Sequence, residues 1–381
     1  MRLLHTSDWH LGMTLRGGMS YLNDQQYVIN EICRIAVDKN VDAILLAGDV
    51  FDRSIASGEA LNLCNSIFTY ICSTLNIKLF VIAGNHDSAE RISQYSELLK
   101  GSGLIISGAL TAKTEVYNYD DVDIYMLPWI STDKVKSVFA EETDRIETME
   151  AAYGYVLDRF RADFKKGHKN ILISHAFVGG SMTSTSDRAA EVGRATMVSS
   201  SVFDGFDYVA LGHLHGPQKI TDSIRYSGTP MAYSFGKEEK QEKSVVIIDT
   251  ATMIQEIVPI PQLRRHITLE GTYEELLKAD YPEDILDSYI RLIVNDSFVG
   301  VEMMSALREK YRNLCEVTGK SLENEEGRIT MSIEELQDAT ADPMQVFFRY
   351  CEDIMSEAPS GHIIELFKNA VGEYETEVTE K

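Results

Sequence analysis

Short apolar, β-rich runs alternate with longer amphipathic stretches from the first residues to about residue 260, a pattern that predicts a layered α/β (α+β) domain. Five of these runs, Arg2–Thr6, Asp42–Ala47, Lys78–Ala83, Asn170–Ser174 and Tyr208–Leu211, each end in a cluster of Asp, Asn, His or Gly. Ligand sites in α/β sheets lie beyond the carboxyl ends of strands, which makes the five clusters candidates for a shared crevice. Two more strand-like runs, Ser244–Asp249 and Ile254–Val258, precede Pro259 and Pro261. Those prolines mark the expected end of this domain.

Beyond them Arg265–Glu270, a short helix near Tyr273–Lys278, a strand at Tyr289–Val294 and a helix over Val301–Val317 suggest a small α+β module. A polar connector, Gly319–Arg328, leads to Asp342-Pro343, an N-cap followed by a first-turn proline. Met344, Phe347, Phe348, Cys351 and Met355 then recur at helical spacing. After the Pro359-Ser360-Gly361 break, Ile363, Phe367, Ala370, Val371 and Tyr374 do the same. These helices either pack on the body or form a detached hairpin that docks a partner. The expected division is therefore 1–260, 261–335 and 336–381.

Composition changes this picture in two places. Lys and Arg number 36 against 59 Asp and Glu, so the net charge is 36 − 59 = −23. Such a balance argues against a free-standing DNA binder unless metal ions meet the phosphate, arginines cluster at one mouth, or a partner carries much of the contact. Five cysteines form no Cys-x-x-Cys pair, so neither a disulfide framework nor a zinc ribbon is suggested. The chain turns polar at His5-Thr6-Ser7-Asp8, and no later run is apolar enough to span a membrane; a reducing cytoplasm is the expected setting.

The strand-end clusters are Asp8-Trp9-His10, Gly48-Asp49, Gly84-Asn85-His86-Asp87, Ser174-His175 and Gly212-His213-Leu214-His215. Carboxylate, imidazole and amide oxygen together suit Mn²⁺, Fe or Zn²⁺, with Mg²⁺ also possible, and no cysteine lies among them. Two metals roughly 3.5–4 Å apart need a shared carboxylate, and Asp49 is the natural bridge. Asp8, His10 and His215 are then assigned to one ion and Asn85, His175 and His213 to the other. Any one Asp-x-His or Gly-Asp occurs often by chance, and a lone histidine is usually structural. Five of the nine histidines, however, fall in these clusters, which favours the metal assignment for the set. Of the rest, His5 is expected in the core or behind the ligands, and His168, His266 and His362 on the surface.

These motifs, in this order over about the first 215 residues, resemble the calcineurin-like metallophosphoesterase family. The resemblance implies a β-sandwich flanked by helices that hydrolyses phosphate esters with a metal-activated water. It further implies that His86, outside the ligand set, stabilises the transition state or protonates the leaving oxygen, with Asp87 orienting it. Residues 4–12, 47–53 and 226–230 resemble the DNA nuclease subunits of that family. So do the module near 262–335, as a cap over DNA, and the 342–381 helices, as a partner-binding element.

That closer resemblance implies manganese, a dimeric nuclease subunit, a large coiled-coil ATPase as partner, and ATP-dependent exonuclease and single-strand endonuclease activity on DNA. Gly319-Lys320-Ser321 lacks the first glycine of a P-loop, the position being Leu314, so no nucleotide site is expected here. Some relatives carry histidine where this chain has Asp52, followed by Arg53. Arg16, Arg53, Arg91, Arg188 and Arg194 are candidate DNA-backbone contacts, or ordinary surface charges. Two rival readings stand beside this one. A phosphomonoesterase or cyclic-nucleotide phosphodiesterase would leave the C-terminal third unexplained, and a non-catalytic DNA-end tether would have no use for a complete ligand set.

Overall fold

The computed structural model describes residues 1–15, 19–140, 145–184, 186–187, 196–296, 301–319 and 364. In chain order its strands are β1 (Arg2–Thr6), β2 (Ala43–Ala47), β3 (Lys78–Ile82), β4 (Leu104–Ser107), β5 (Val116–Tyr119) and β6 (Val122–Leu127). There follow β7 (Lys169–His175), β8 (Phe177–Val178), β9 (Met197–Val198), β10 (Tyr208–Gly212), β11 (Gln218–Lys219) and β12 (Ile224–Tyr226). The last are β13 (Ser244–Asp249), β14 (Ile254–Pro259), β15 (His266–Gly271), β16 (Tyr289–Val294) and β17 (Leu314–Gly319).

Two six-stranded sheets dominate, in the orders β14-β13-β1-β2-β3-β4 and β11-β12-β10-β7-β6-β5. In the first, β1 to β4 run parallel and β13 joins β1 antiparallel. In the second, β6, β7, β10 and β12 run parallel. Parallel strands buried on both faces read as nearly continuous apolar runs. That is why β2 is Ala-Ile-Leu-Leu-Ala, buried throughout.

Alternation along each strand sends its residues to two cores. Leu3, Leu45, Phe80 and Ile82 from the first sheet meet Ile124, Met126, Ile171, Ile173 and Ala210 from the second, and this cluster fills the sandwich. Their neighbours Tyr125, Leu127, Leu172, Val209 and Leu211 point the other way, into a second cluster with the helix Met149–Ala162. That helix starts where the Thr148 hydroxyl accepts from the Ala151 N–H, and it buries Ala152, Tyr153, Val156, Leu157 and Phe160 as one stripe. Each large apolar side chain of that stripe contributes about 1.5–3 kcal/mol, so Leu157→Ala would cost about 2–5 kcal/mol. The α/β sandwich with flanking helices that the resemblance implied is the fold observed.

The chain divides into two compact units, Met1–Thr268 with Pro282–Ile290, and Leu269–Tyr281 with Arg291–Lys381. In the second unit the helix Tyr273–Lys278 opens with a capping box between Thr272 and Glu275. There the helix expected over Val301–Val317 stops at Lys310, and Leu314–Gly319 is strand β17 instead. Cys315 and Val317 alternate with Glu316 and Thr318, the period of a strand, and Asn313 supplies the turn between helix and strand. The two helices expected after residue 342 lie outside the described residues.

Candidate metal centre

Parallel strands deliver their carboxyl ends to one edge of the sandwich. Asp8 follows β1, Asp49 follows β2, Asn85 follows β3, His175 closes β7, and His213 follows β10. Two backbone bonds hold neighbouring loops in step, from Asp8 N to Gly48 O at 3.0 Å and from His10 N to Asp49 O at 2.9 Å. Asp8, His10, Asp49 and His213 all have positive φ, four of the nine non-glycine residues that do among those described. Left-handed backbone at an Asp or His is strained and persists where the surroundings over-determine it, which is common at functional sites.

Two glycines let these ends approach. A Cβ on Gly84 would sit 2.0 Å from Asp49 Oδ1, and one on Gly212 would sit 1.9 Å from the Ala47 carbonyl. Neither position has room for any side chain.

The expected donors come together. His175 Nε2 lies 2.8 Å from Asn85 Oδ1 and 3.4 Å from Asp49 Oδ2. His213 Nδ1 is 3.0 Å from the same Asn85 oxygen, and the His213 N–H donates to the Asp8 carboxylate at 3.0 Å. On the other side, His10 Nε2 lies 3.1 Å from His215 Nε2 and 3.7 Å from Asp49 Oδ2. Ligand atoms of Asp8, Asp49 and His175 lie mutually within 4.8 Å, as do those of His10, Asp49 and His86. Asp49 is the member common to both groups.

Hydrogen bonding fixes which imidazole nitrogen faces inward. The Ala47 carbonyl can only accept, so His175 donates from Nδ1 at 2.8 Å and presents its Nε2 lone pair to an amide oxygen. The Ser186 hydroxyl donates to Glu238, so its oxygen accepts from His215 Nδ1, and the His215 Nε2 lone pair faces His10. Acceptor atoms turned on one another in a buried cluster call for a cation between them, a proton or a metal ion, and spacings near 3 Å suit ligands of one ion at about 2.0–2.2 Å. The residues present therefore fit divalent metal.

The electrostatics agree. Burial would lower the pKa of His175, but the Asp49 and Asp8 carboxylates outweigh it and raise it to about 9. Burial lifts Asp8 to about 6. For Asp49, burial is overcome by His175, His10 and His86, which hold the carboxyl well below its usual range.

His86 lies at the rim, its side chain 7% exposed and its Nε2 3.9 Å from Asp49 Oδ2. The Asp52 carbonyl orients it, accepting from Nδ1 at 2.8 Å. Asp87, expected to orient His86, has a different bond set: its carboxylate accepts from the backbone N–H groups of Val50, Phe51 and Gly84 at 2.9–3.1 Å. It ties the loop after β3 to the loop after β2.

Arg53 is exposed and pairs with Asp52 at 3.2 Å, and Arg91 is exposed on the short helix Ala89–Ile92. Arg16, Arg188 and Arg194 lie outside the described residues, as does His362. His5 is buried as expected, bonded to the Tyr208 hydroxyl and the Leu211 carbonyl, and His168 is part-exposed beside Asp123. His266, expected on the surface, is 5% exposed and bonded to the Tyr21 hydroxyl at 2.6 Å, because Tyr21, Phe235 and Tyr289 enclose it.

Sequence reasoning missed the residues behind the donors. Gln25 donates to the His10 carbonyl at 2.7 Å, and Asp187 accepts from the His215 N–H at 3.0 Å. Glu238 and Lys243 are both buried, and the Lys243 ammonium donates to the His215 carbonyl at 3.0 Å and the Thr229 hydroxyl at 2.9 Å.

Residues 1–217 match the calcineurin-like phosphoesterase model, more than half of the chain, so the chain belongs to that family and is a metal-dependent hydrolase. Within the family it is similar to the SbcD subunit of the SbcCD nuclease of Staphylococcus epidermidis, being 31% identical over 351 residues, 89% of this chain and 91% of the relative. Among solved structures, a dimetal phosphatase from Danio rerio aligns over 69% of this chain and 98% of its own, at 10% identity and a TM-score of 0.42. A Thermus thermophilus protein, TT1561, aligns over 68% and 99%, at 13% identity and a TM-score of 0.41. Among the described residues no helix is long and apolar enough to cross a membrane.

Proposed function

We propose that this chain is a two-metal DNA nuclease, the counterpart of the SbcD subunit, acting with an SbcC-like coiled-coil ATPase as an ATP-dependent double-strand exonuclease and single-strand or hairpin endonuclease. Its role would lie in DNA end processing, in repair, recombination and replication. The observation that carries the reading is the convergence of Asp8, His10, Asp49, Asn85, His175, His213 and His215 on one strand-end edge, with imidazole lone pairs turned inward. Similarity over 91% of a nuclease subunit supports the substrate.

In this reading Asp8, His10 and His215 would hold one Mn²⁺ and Asn85, His175 and His213 the other, with Asp49 as the carboxylate that both would share. The bound ions would neutralise phosphate charge and lower the pKa of the attacking water. The chain's own part is positional. His86 keeps its proton on Nδ1, against the Asp52 carbonyl, so Nε2 is the atom that exchanges a proton with the leaving sugar oxygen. Asp87 supports that step by holding the two loops together. Arg53 and Arg91, with Arg16, are assigned to the DNA backbone. The division into a nuclease domain at 1–260, a DNA-capping domain at 261–335 and an SbcC-binding helical segment at 336–381 belongs to the same proposal, as does a homodimer within a heterotetramer.

The test is Mn²⁺-dependent cleavage of labelled single-stranded and hairpin DNA by the purified chain, beside Asp49→Ala and a phosphomonoester. Cleavage of DNA that Asp49→Ala loses is the expected result. Turnover of the monoester without DNA cleavage would replace the nuclease reading with a phosphatase.

A further inference from the structure

Trp129 is one of two tryptophans in the chain and differs sharply from the other: Trp9 is fully buried, whereas Trp129 is 39% exposed. Its backbone is not loose. It follows the end of β6, and its N–H donates to the Ala83 carbonyl at 2.9 Å, just after β3 and two residues before Asn85. Trp129 thus stands on the same strand-end edge as the metal cluster. A groove of about 400 Å³ is lined by Asn85 and Asp87 and also by Trp129 and Lys134. Lys134 is exposed and makes no ion pair among the described residues, while the Asp87 and Glu90 carboxylates contribute opposing charge.

We propose that Trp129 is a stacking residue for the nucleobase next to the scissile phosphate, with Lys134 meeting the adjoining phosphate of the same strand. The proposal rests on the nuclease reading above and deepens it. A phosphodiester seated at Asn85 and the other donors must run its neighbouring nucleotide along this groove or away from it. The groove offers what an unpaired base needs, an aromatic face on a fixed backbone beside a cation. A base still paired in a duplex has its faces covered, so the subsite selects single strands and unpaired ends.

Intrinsic fluorescence tests this directly, because only Trp129 is open to a ligand. An oligo(dT) strand carrying a dye is titrated into the full chain with Ca²⁺ as the divalent ion, and binding is followed by dye anisotropy and tryptophan emission together. The expected result is quenching in step with binding and an affinity about tenfold weaker in Trp129→Ala. Trp129→Phe, which keeps an aromatic face, restores most of that affinity, and the thermal midpoint is unchanged in both variants. Binding without quenching, or equal affinity in Trp129→Ala, overturns the proposal and leaves the nuclease reading intact. No binding by the parent chain, with or without the ATPase partner, removes both.

Discussion

His86 stands outside the seven assigned donors, yet it shares features with them. The Asp52 carbonyl steers its ring as the Ala47 carbonyl steers that of His175, and its ligand atom lies within 4.8 Å of those of Asp49 and His10. A proton-transfer role and a ligand role predict different things for His86→Ala. We expect hydrolysis to fall by about 10²–10⁴ with the bound metal, measured by elemental analysis, unchanged. Loss of metal from the variant would make His86 a ligand and discard the proton-transfer role. Lys243 presents the opposite case, a charge with no chemistry of its own. Burial lowers its pKa, yet its ammonium still lies 3.5 Å from the Glu238 carboxylate and bonds the His215 carbonyl. Lys243→Met leaves Glu238 buried without its cation, and removal of one partner from such a pair costs about 3–5 kcal/mol. Chemical denaturation measures this, and a loss under about 1 kcal/mol would show that water replaces the ammonium.

At the level of elements, the strand ends were legible because each couples an apolar run to a polar stop: β1, β13 and β16 fall where the period places them. The residues proposed as donors were visible at those stops, where α/β sheets place their ligand sites. The support behind them was not. Lys237–Lys243 reads as a solvated charged run, and nothing in its composition distinguishes buried Glu238 and Lys243 from half-exposed Glu239 or exposed Lys240. Burial of a charge is decided by a partner distant in sequence, here Thr229 and His215. The β17 error has a local cause: six residues are too few for period two to stand out from helical spacing once a helix precedes them. Close packing of strand ends also gives a prediction. Gly212 brings β10 under the Ala47 carbonyl, the same oxygen that orients His175. In Gly212→Ala backbone must move, so we expect a loss of about 1–3 kcal/mol together with weaker metal binding by calorimetry. Unchanged stability and affinity would mean the two sheets slide apart at little cost.

For the molecule as a whole, charge and burial set the pH range in which the first unit holds together. A chain of net charge −23 already repels itself, and losing carboxylate charge in acid relieves that repulsion, which would tend to stabilise it. Two buried histidines act against this. Burial lowers His5 from 6.5 to about 3 and His266 from 6.5 to about 4, so both are neutral in the folded unit well into acid. Once unfolded they titrate normally, and below pH 6.5 the unfolded chain binds more protons than the folded one. Stability then falls as pH falls, through the window from about 6.5 down to the folded values, and each histidine withdraws about 2 kcal/mol between pH 7.5 and 5. His5→Gln removes one of these titrations. Urea unfolding followed through buried Trp9 at the two pH values should show the parent losing about 2 kcal/mol more than the variant. Equal losses would mean that His5 already carries a second proton in the folded sandwich, on Nδ1, where the Tyr208 hydroxyl would have to accept it because Nε2 already donates to the Leu211 carbonyl.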